Sequence, residues 1–245
     1  MKLRQVYLAL RIVGVMQITV LGSGTARPTS RRSSSGYLVE WGCGACLLDC
    51  SAGTFMRGLK AGLDPERLVA VAVSHLHPDH TGDLPGLLFA WKQIYGDDRP
   101  LLLLGPEGLL ELVEALQAPY GGWLDLPFEV RGYPAEIEGL LVEAFPADHA
   151  ADTPEARCLR LTADGKALGY SGDSSDCEGL RAACRDADLA LLECSSMQPV
   201  QGHMTPQDCR RVAQESGSRR VLLTHLGPDV ETDLPMAEDG LVISL

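Results

Sequence analysis

The chain has 245 residues, of which 45% are hydrophobic and 22% charged, a balance typical of one globular domain or two fused halves. Its net charge of −12 disfavours a protein that binds nucleic acid through a broad basic surface. The sequence has no apolar run of about 18 residues and no recognisable secretory signal. We therefore expect a cytoplasmic protein without a membrane span.

In the first half of the chain, short apolar runs predict strands and amphipathic runs predict helices. In chain order they are the strands Ile18–Leu21, Tyr37–Trp41 and Cys46–Asp49, the helix Thr54–Ala61, the strand Leu68–Ser74, the helix Leu84–Gln93, the strand Leu101–Leu104 and the helix Glu107–Gln117. Residues 1–15 precede the first strong strand. We expect them to be an N-terminal extension, either not native or poorly ordered.

The second half of the chain continues the alternation of strands and helices. In chain order we predict the strands Phe128–Arg131, Leu140–Phe145, Cys158–Thr162 and Ala167–Ser171, the helix Gly179–Asp186, the strand Leu189–Glu193, the helix Thr205–Ser216 and the strand Val221–Thr224. The dipeptide Asp164-Gly165 predicts a hairpin turn. The strands fall into two groups, roughly residues 16–104 and 128–225. Two facing sheets covered by helices on the outside would bury both groups.

All six histidines lie in short polar breaks between apolar runs, and three of them share the segment Ser-His-Leu-His-Pro-Asp-His. Pro78 disfavours a helix at His77. In an extended or looped backbone, His75 and His77 can point the same way. A tight loop can aim Asp79 and His80 to the other side of a pocket. This segment can therefore supply two ligands to each of two adjacent metal ions.

Four further residues of metal-binding type lie far from this segment along the chain. His149, Asp173 and His225 each follow a predicted strand, and His203 precedes a predicted helix. A single histidine or aspartate at a strand end is usually structural, but their common placement favours ligation. Imidazole with carboxylate suits zinc, and also manganese or iron.

The cysteines and arginines offer two further candidate sites. Cys43 and Cys46 have the spacing of half a zinc site, but no second such pair exists, so we expect all eight cysteines to be reduced thiols. Arg27, Arg31 and Arg32 lie in a glycine- and serine-rich loop that follows the first strand. They are candidate contacts to a substrate phosphate; the alternative is a flexible polar loop.

These motifs together resemble the metallo-β-lactamase superfamily, and within it the ribonuclease Z and related phosphodiesterase branch. The segments that carry the resemblance are Leu21–Thr25, Leu48–Cys50, His75–Leu88, Gly105–Leu109, Ser171–Asp173, Leu191–Glu193, Gly202–Thr205 and Thr224–Leu226. The resemblance implies a four-layer αββα sandwich, with two facing mixed sheets covered by helices. It implies that residues 16–245 form this single domain.

The resemblance also implies a role for each matching residue. One metal would be held by His75, His77 and His149, and the other by Asp79, His80 and His225, with Asp173 bridging the two. Asp79 is also implied to handle a proton of the attacking water, and His203 to assist the leaving group. Asp49 is a candidate to orient a ligand imidazole from behind.

The resemblance implies a dinuclear hydrolase with two divalent metal ions, expected to be zinc, with manganese or iron as alternatives. The expected activity is that of a ribonuclease Z-type phosphodiesterase, in which a hydroxide held between the metals attacks phosphorus. The same ligand pattern also occurs in thioesterases and lactonases of glyoxalase II type, which remain an alternative. A non-catalytic, metal-stabilised binding module is a third hypothesis.

One departure from ribonuclease Z bears on the substrate. Those enzymes carry a long arm that grips tRNA, inserted between the third histidine motif and the bridging aspartate. Here His149 and Asp173 are only 24 positions apart. The missing arm and the acidic charge favour a small phosphodiester or nucleotide-type substrate over tRNA. Members of this branch often form dimers, so the resemblance allows a homodimer, but no segment indicates an interface.

Overall fold

The fold is that of a computed structural model, which describes residues 15–124, 128–150 and 155–245. The N-terminal extension predicted from sequence lies outside these residues, apart from residue 15. The strands are β1 Gln17–Gly22, β2 Gly36–Glu40, β3 Ala45–Leu48, β4 Leu68–Ala72, β5 Leu101–Leu104, β6 Phe128–Arg131, β7 Ala135–Ile137, β8 Leu140–Pro146, β9 Arg157–Ala163, β10 Lys166–Tyr170, β11 Leu189–Glu193, β12 Val221–Thr224 and β13 Val242–Ser244. The helices are α1 Thr54–Lys60, α2 Pro78–Thr81, α3 Leu84–Tyr95, α4 Leu109–Gln117, α5 Glu178–Cys184 and α6 Pro206–Ser216.

Within the described ranges, the strands form two mixed sheets. One has the order β13-β1-β2-β3-β4-β5-β6 and the other β12-β11-β10-β9-β8-β7. Strands β3 to β6 run parallel, as do β10 to β12, and the remaining neighbours are antiparallel. Parallel neighbours need a crossover connection, and helices supply it. The predicted four-layer αββα sandwich is therefore confirmed.

Side-chain alternation along the strands divides the core into layers. On β2, Tyr37 and Val39 point into the cluster between the sheets, whereas Leu38 points to the outer face. Successive side chains of a strand point to opposite faces, so a strand buried on both sides must be apolar throughout. This explains continuous apolar runs such as Leu101–Leu104.

Helices cover the outer face of each sheet. On the first sheet, Trp91 of α3 and Val113 of α4 pack into one outer cluster, and both side chains are fully buried. On the second sheet, Leu180 of α5 and Val212 of α6 pack into another. Among the described residues, no helix is long and apolar enough to cross a membrane.

Two details differ from the sequence-based expectations. Strand β6 was expected with the second group of strands, but it pairs in parallel with β5 and belongs to the first sheet. The grouping by chain order was wrong because the α4 crossover returns the chain to the same sheet. Strands β7 and β13 were not predicted; each has three residues, too few for a periodic signal. The predicted Asp164-Gly165 hairpin is confirmed, with positive φ angles of 52° and 72°.

Candidate metal centre

The residues nominated as ligands come from segments that follow strands of both sheets. His75 lies beyond β4, His149 beyond β8, Asp173 beyond β10, and His225 directly after β12. Their ligand atoms lie in groups in which all atoms are within 4.8 Å of one another. These groups are His75, His77 and His149; Asp79, His80, Asp173 and His225; and His149, Asp173 and His203. The fold therefore brings together every ligand candidate that the sequence indicated.

The local backbone explains how one short segment serves two groups. His77 is extended, with φ −62° and ψ 147°, and caps α2, in which Pro78 occupies the first turn. The expected tight loop at Asp79 and His80 is this single helical turn. His75 and His77 precede the turn and face one way, whereas Asp79 and His80 lie on it and face the second group.

The first group consists of three imidazoles. Nδ1 of His77 lies 3.1 Å from Nε2 of His75 and 3.2 Å from Nε2 of His149. Two of the rings are held from behind, because Nδ1 of His149 lies 3.0 Å from the carbonyl oxygen of Gly202 and Nδ1 of His75 lies 3.0 Å from the hydroxyl of Ser74. A ring that donates from Nδ1 presents a lone pair at Nε2, as metal ligation requires.

Asp173 lies between the first group and the second. Its Oδ1 is 3.3 Å from Nε2 of His80, and its Oδ2 is 3.3 Å from Nε2 of His225 and 3.9 Å from Nε2 of His75. Asp79 completes the second group, with Oδ2 3.6 Å from Nε2 of His80. The carboxylate of Asp173 is therefore shared by both groups.

Two orphaned atoms test whether these residues fit a metal ion. Nε2 of His80 and Oδ1 of Asp173 are buried, and neither has a hydrogen-bond partner among the described residues. Nδ1 of His80 lies 2.7 Å from Oδ2 of Asp49 and donates to it, so a neutral ring presents a lone pair at Nε2. A lone pair facing a carboxylate in a buried site is repulsive unless a cation lies there. The donor set therefore fits a divalent metal ion.

The charges in the second group favour a bound cation. Burial lowers the pKa of His80, but the carboxylates of Asp173 and Asp49 outweigh this effect and raise that pKa well above its usual value. Burial raises the pKa of Asp173, but the imidazoles of His225 and His80 hold that pKa well below its usual value. A metal ion would replace the proton that these carboxylates attract to His80.

Asp49 contacts the histidine segment from behind. It is fully buried and adopts a positive φ of 54° directly after β3. Its carboxylate accepts hydrogen bonds from the backbone of Ser74 at 2.7 Å, from Nδ1 of His80 at 2.7 Å and from the hydroxyl of Tyr170 at 2.6 Å. Asp49 therefore ties the histidine segment to β3 and to the facing sheet.

The sequence-based interpretation assigned no role to Glu193, which ends β11. Its Oε1 lies 2.8 Å from Nδ1 of His203, and Glu193 is fully buried. Burial lowers the pKa of His203, but the hydrogen bond to Glu193 outweighs this effect and raises that pKa above its usual value. The sequence feature that could have identified Glu193 is an acidic residue at the end of an apolar strand. Ser35, whose hydroxyl lies 2.9 Å from Nδ1 of His225, gave no such signal.

A cavity of about 730 Å³ is lined on one side by Leu226, the residue after His225, and on another by Glu238 and Asp239. Arg31 and Arg32 line it, whereas Arg27 is exposed elsewhere on the loop. Arg32 donates to the hydroxyl of Ser23 at 2.8 Å and to the carbonyl of Ala237, so it fastens the loop to the C-terminal segment. Arg31 is exposed at the cavity wall and is therefore the better placed of the three for contact with a substrate.

The eight cysteines all lie within the described residues and carry free thiols, as expected. Cys46 and Cys50 are buried on and just after β3, and Cys43 is exposed in the preceding hairpin turn. Each group of metal-ligand type found in the described part of the chain consists of histidine and aspartate alone.

Comparison with known proteins identifies the family of this chain. The model of the beta-lactamase superfamily domain matches residues 45–226. A ribonuclease Z of Mycobacterium bovis is 28% identical over 88% of this chain and 88% of its own length. An uncharacterized protein of Mycobacterium leprae, ML1173, is 33% identical over 94% of this chain and 86% of its own length.

Two solved structures share the architecture. The metallo-beta-lactamase fold protein YhfI of Bacillus subtilis superposes with a TM-score of 0.81 and 24% identity, covering 94% of this chain and 99% of its own. The short form of human tRNase Z superposes with a TM-score of 0.80 and 25% identity, covering 93% of this chain and 98% of its own. The chain therefore belongs to the beta-lactamase superfamily and is a metal-dependent hydrolase.

Proposed function

We propose that the protein is a dinuclear phosphodiesterase of ribonuclease Z type. One metal ion would be held by His75, His77 and His149, and the other by Asp79, His80 and His225, with Asp173 contributing to both. The observation that carries this proposal is the position of the Asp173 carboxylate, within 3.9 Å of imidazole nitrogens from both groups. We expect both ions to be zinc, with manganese or iron as alternatives.

Bound divalent ions supply positive charge that makes a water nucleophilic near neutral pH and stabilises negative charge on phosphate oxygens. The protein side chains would do the remaining work. Asp79 lies at the rim of the second group, partly exposed, where its carboxylate can accept a proton from the water. Asp49 and the carbonyl of Gly202 hold His80 and His149 in the orientation that ligation needs.

His203 would donate the proton that the leaving oxygen requires. Its Nδ1 donates to the buried Glu193, which leaves Nε2 facing the site, where the ring stacks at 6.1 Å from His225. The neighbouring carboxylate favours the protonated imidazole, and a protonated imidazole is the form that can act as a general acid. Glu193 is then a positioning residue, since it acts through His203.

The proposed substrate is a small phosphodiester or a nucleotide-type molecule. Strands β9 and β10, joined by a tight turn, occupy much of the segment between His149 and Asp173, where ribonuclease Z enzymes carry a tRNA-gripping arm. The net charge of −12 opposes a long polyanion as substrate. Arg31, at the wall of the neighbouring cavity, offers a local positive charge for a single phosphate.

The test is a substrate comparison with zinc-loaded protein. The assay would measure kcat/KM for bis-p-nitrophenyl phosphate, a 3′-extended tRNA precursor, a thioester and a lactone, with His77→Ala as the inactive control. We expect the small phosphodiester to be hydrolysed fastest. Faster turnover of the thioester or lactone would assign the site to the glyoxalase II type instead, and faster cleavage of the tRNA precursor would overturn the proposed substrate class.

A further inference from the structure

A pair of thiols lies behind the candidate metal centre and takes no part in it. Cys177 caps the start of α5 and is half-buried, whereas Cys158 on β9 is fully buried. Cys158 belongs to the buried cluster against which Cys177 packs. The Cys177 sulfur lies 3.7 Å from the carbonyl oxygen of Pro146, and the residue before Pro146, Phe145, pairs with Cys158 across β8 and β9. The pair therefore combines one accessible thiol with one enclosed thiol in the same cluster.

The surroundings of Cys177 favour its thiolate. The neighbouring Cys158 thiol opposes the effect of burial and, with the hydroxyl of Ser174 and the backbone N–H of Leu180, lowers the pKa of Cys177 to about 5. Burial raises the pKa of Cys158 well above its usual value. A thiolate is the nucleophilic form of cysteine, so at neutral pH Cys177 is the reactive partner and Cys158 the protonated one.

The pair is connected to two ligand-bearing segments through Ser174. The Ser174 hydroxyl lies 3.5 Å from the sulfur of Cys177 and accepts a hydrogen bond from the backbone of Asp148 at 3.0 Å. Ser174 follows Asp173, and Asp148 precedes His149. The backbone of Ser175 also donates to the carbonyl of Asp148 at 2.7 Å. Movement of the Cys177 sulfur would therefore act on the segments that carry Asp173 and His149.

The start of α5 has little freedom to absorb such a movement. A Cβ atom on Gly179 would lie 1.9 Å from the carbonyl oxygen of Pro146, which shows how closely the helix packs on the end of β8. The Cys177 sulfur itself lies 3.7 Å from that same carbonyl. A displacement of the Cys177 sulfur would therefore move the loop that precedes Cys177 rather than helix α5.

We propose that Cys158 and Cys177 form a peroxide-sensitive pair, whose oxidation to a disulfide lowers hydrolysis at the neighbouring centre. The Cys177 thiolate attacks one oxygen of a hydroperoxide, which releases water or an alcohol after protonation and leaves a sulfenic acid. The Cys158 sulfur then attacks the sulfenic sulfur, loses its proton and expels a second water. Two thiols are oxidised by two electrons in total, and one hydroperoxide is reduced.

The expected loss of activity follows from geometry. A disulfide brings the two sulfurs to about 2 Å, which draws the Cys177 sulfur away from Ser174. The Ser174 hydroxyl then loses one contact, and the loop between Asp173 and Cys177 shifts relative to Asp148. Ligand carboxylates need precise placement, so a small shift at Asp173 lowers turnover.

The experiment treats zinc-loaded protein with hydrogen peroxide, because zinc itself has no redox chemistry. Free thiols are then blocked under denaturing conditions, and peptides are mapped by mass spectrometry. We expect a Cys158–Cys177 disulfide in the wild type, while the buried pair Cys194 and Cys209 stays reduced. Hydrolysis of bis-p-nitrophenyl phosphate should fall several-fold and return after treatment with dithiothreitol.

Three variants separate this proposal from general oxidative damage. Cys177→Ser and Cys158→Ala should both keep their activity in peroxide, whereas Cys43→Ser, at the exposed hairpin thiol, should be inactivated like the wild type. Iodoacetamide should label Cys177 at nearly the same rate at pH 6 and pH 8, because a thiol with a pKa of about 5 is already ionised at both. Free glutathione should react faster at pH 8 than at pH 6, because the thiolate fraction of a thiol with an ordinary pKa rises over that range.

The proposal has two independent points of failure. Absence of the Cys158–Cys177 disulfide after peroxide, with the zinc-loaded protein still folded, overturns it completely. Formation of the disulfide with unchanged hydrolysis overturns the link to the centre. The disulfide and labelling measurements do not depend on the substrate class, so they remain decisive even if the proposed phosphodiesterase activity is wrong.

Discussion

Asp173 shows how single residues create the chemistry of this site. Its carboxylate is almost completely buried, at 3% exposure, and faces three imidazoles from two distant segments of the chain. An ionised carboxylate at such depth is costly unless positive charge surrounds it. The structure therefore concentrates negative charge at the point where the ligand groups need a cation.

We predict that His77→Ala lowers bound metal and hydrolysis together. His77 lies at the centre of the first group, with both other imidazoles within 3.2 Å of its Nδ1. Removing this ring leaves two ligands where three converged. The check is the metal-to-protein ratio by elemental analysis alongside the rate. A variant with full metal content and full rate would remove His77 from the proposed ligand set.

We predict that His203→Ala keeps its metal content but slows hydrolysis by about 10²–10⁴-fold, the usual loss for a general acid. The loss should shrink for a substrate with an acidic leaving group such as p-nitrophenol, because that group departs without a proton. Rates for alkyl and p-nitrophenyl esters would be compared. Glu193→Gln should show the same dependence on the leaving group. An undiminished rate for the alkyl ester would contradict the assignment.

We predict that Tyr170→Phe weakens metal binding by about 10–100-fold through Asp49. The variant removes the hydroxyl that donates to Asp49 at 2.6 Å and leaves the ring in place. The control is Tyr133→Phe, whose hydroxyl donates to the carbonyl of Val73 at 2.8 Å and not to a carboxylate. Zinc affinity would be measured by competition with a chelator. Equal affinity in the two variants would show that Asp49 needs no support from Tyr170.

At the scale of secondary-structure elements, strand ends position the chemistry. Strands β10, β11 and β12 run parallel, so the segments that follow them emerge at one edge of their sheet. Asp173 follows β10, Glu193 ends β11 and His225 follows β12. Parallel strands commonly deliver polar residues at their carboxyl ends, where connecting loops can hold them.

The docking of α5 on β8 gives a prediction at this scale. We expect Gly179→Ala to destabilise the fold by about 1–3 kcal/mol or more, because the added Cβ would lie 1.9 Å from the Pro146 carbonyl. Gly132→Ala is the matched control, since a Cβ there meets nothing within 4 Å. The free energy of unfolding would be measured with urea. Equal values for the two variants would mean that α5 packs less closely than the structure shows.

At the scale of the whole molecule, the metal centre lies where the two sheets meet, so binding should stabilise the entire domain. A ligand that binds only the folded state raises the free energy of unfolding by about 2.7–4.1 kcal/mol when its free concentration is 100 to 1,000 times its dissociation constant. We therefore predict that removing metal with a chelator lowers the thermal midpoint and that zinc restores it. Calorimetry is the measurement, with His77→Ala expected to respond less. An unchanged midpoint would indicate that the ligand groups do not hold a metal.

The candidate site was largely predictable because its signals are local. The spacing of His75, His77 and His80 around Pro78 is visible in the sequence, and strand ends could be placed within a residue or two. The pairing of Glu193 with His203 was not visible, since it joins residues through a hydrogen bond that only the folded chain creates. For the same reason Ser35, a partner of His225, gave no signal.

The sequence by itself determined the types of element, the apolar layers and the family, because these depend on periodicity and on short motifs. Only the tertiary structure decided that β6 joins the first sheet, that Glu193 pairs with His203, and that Cys177 packs against the cluster that contains Cys158. The physical reason is that these contacts connect residues distant in the chain. Their formation depends on how the sheets pack, which no local pattern of residues encodes.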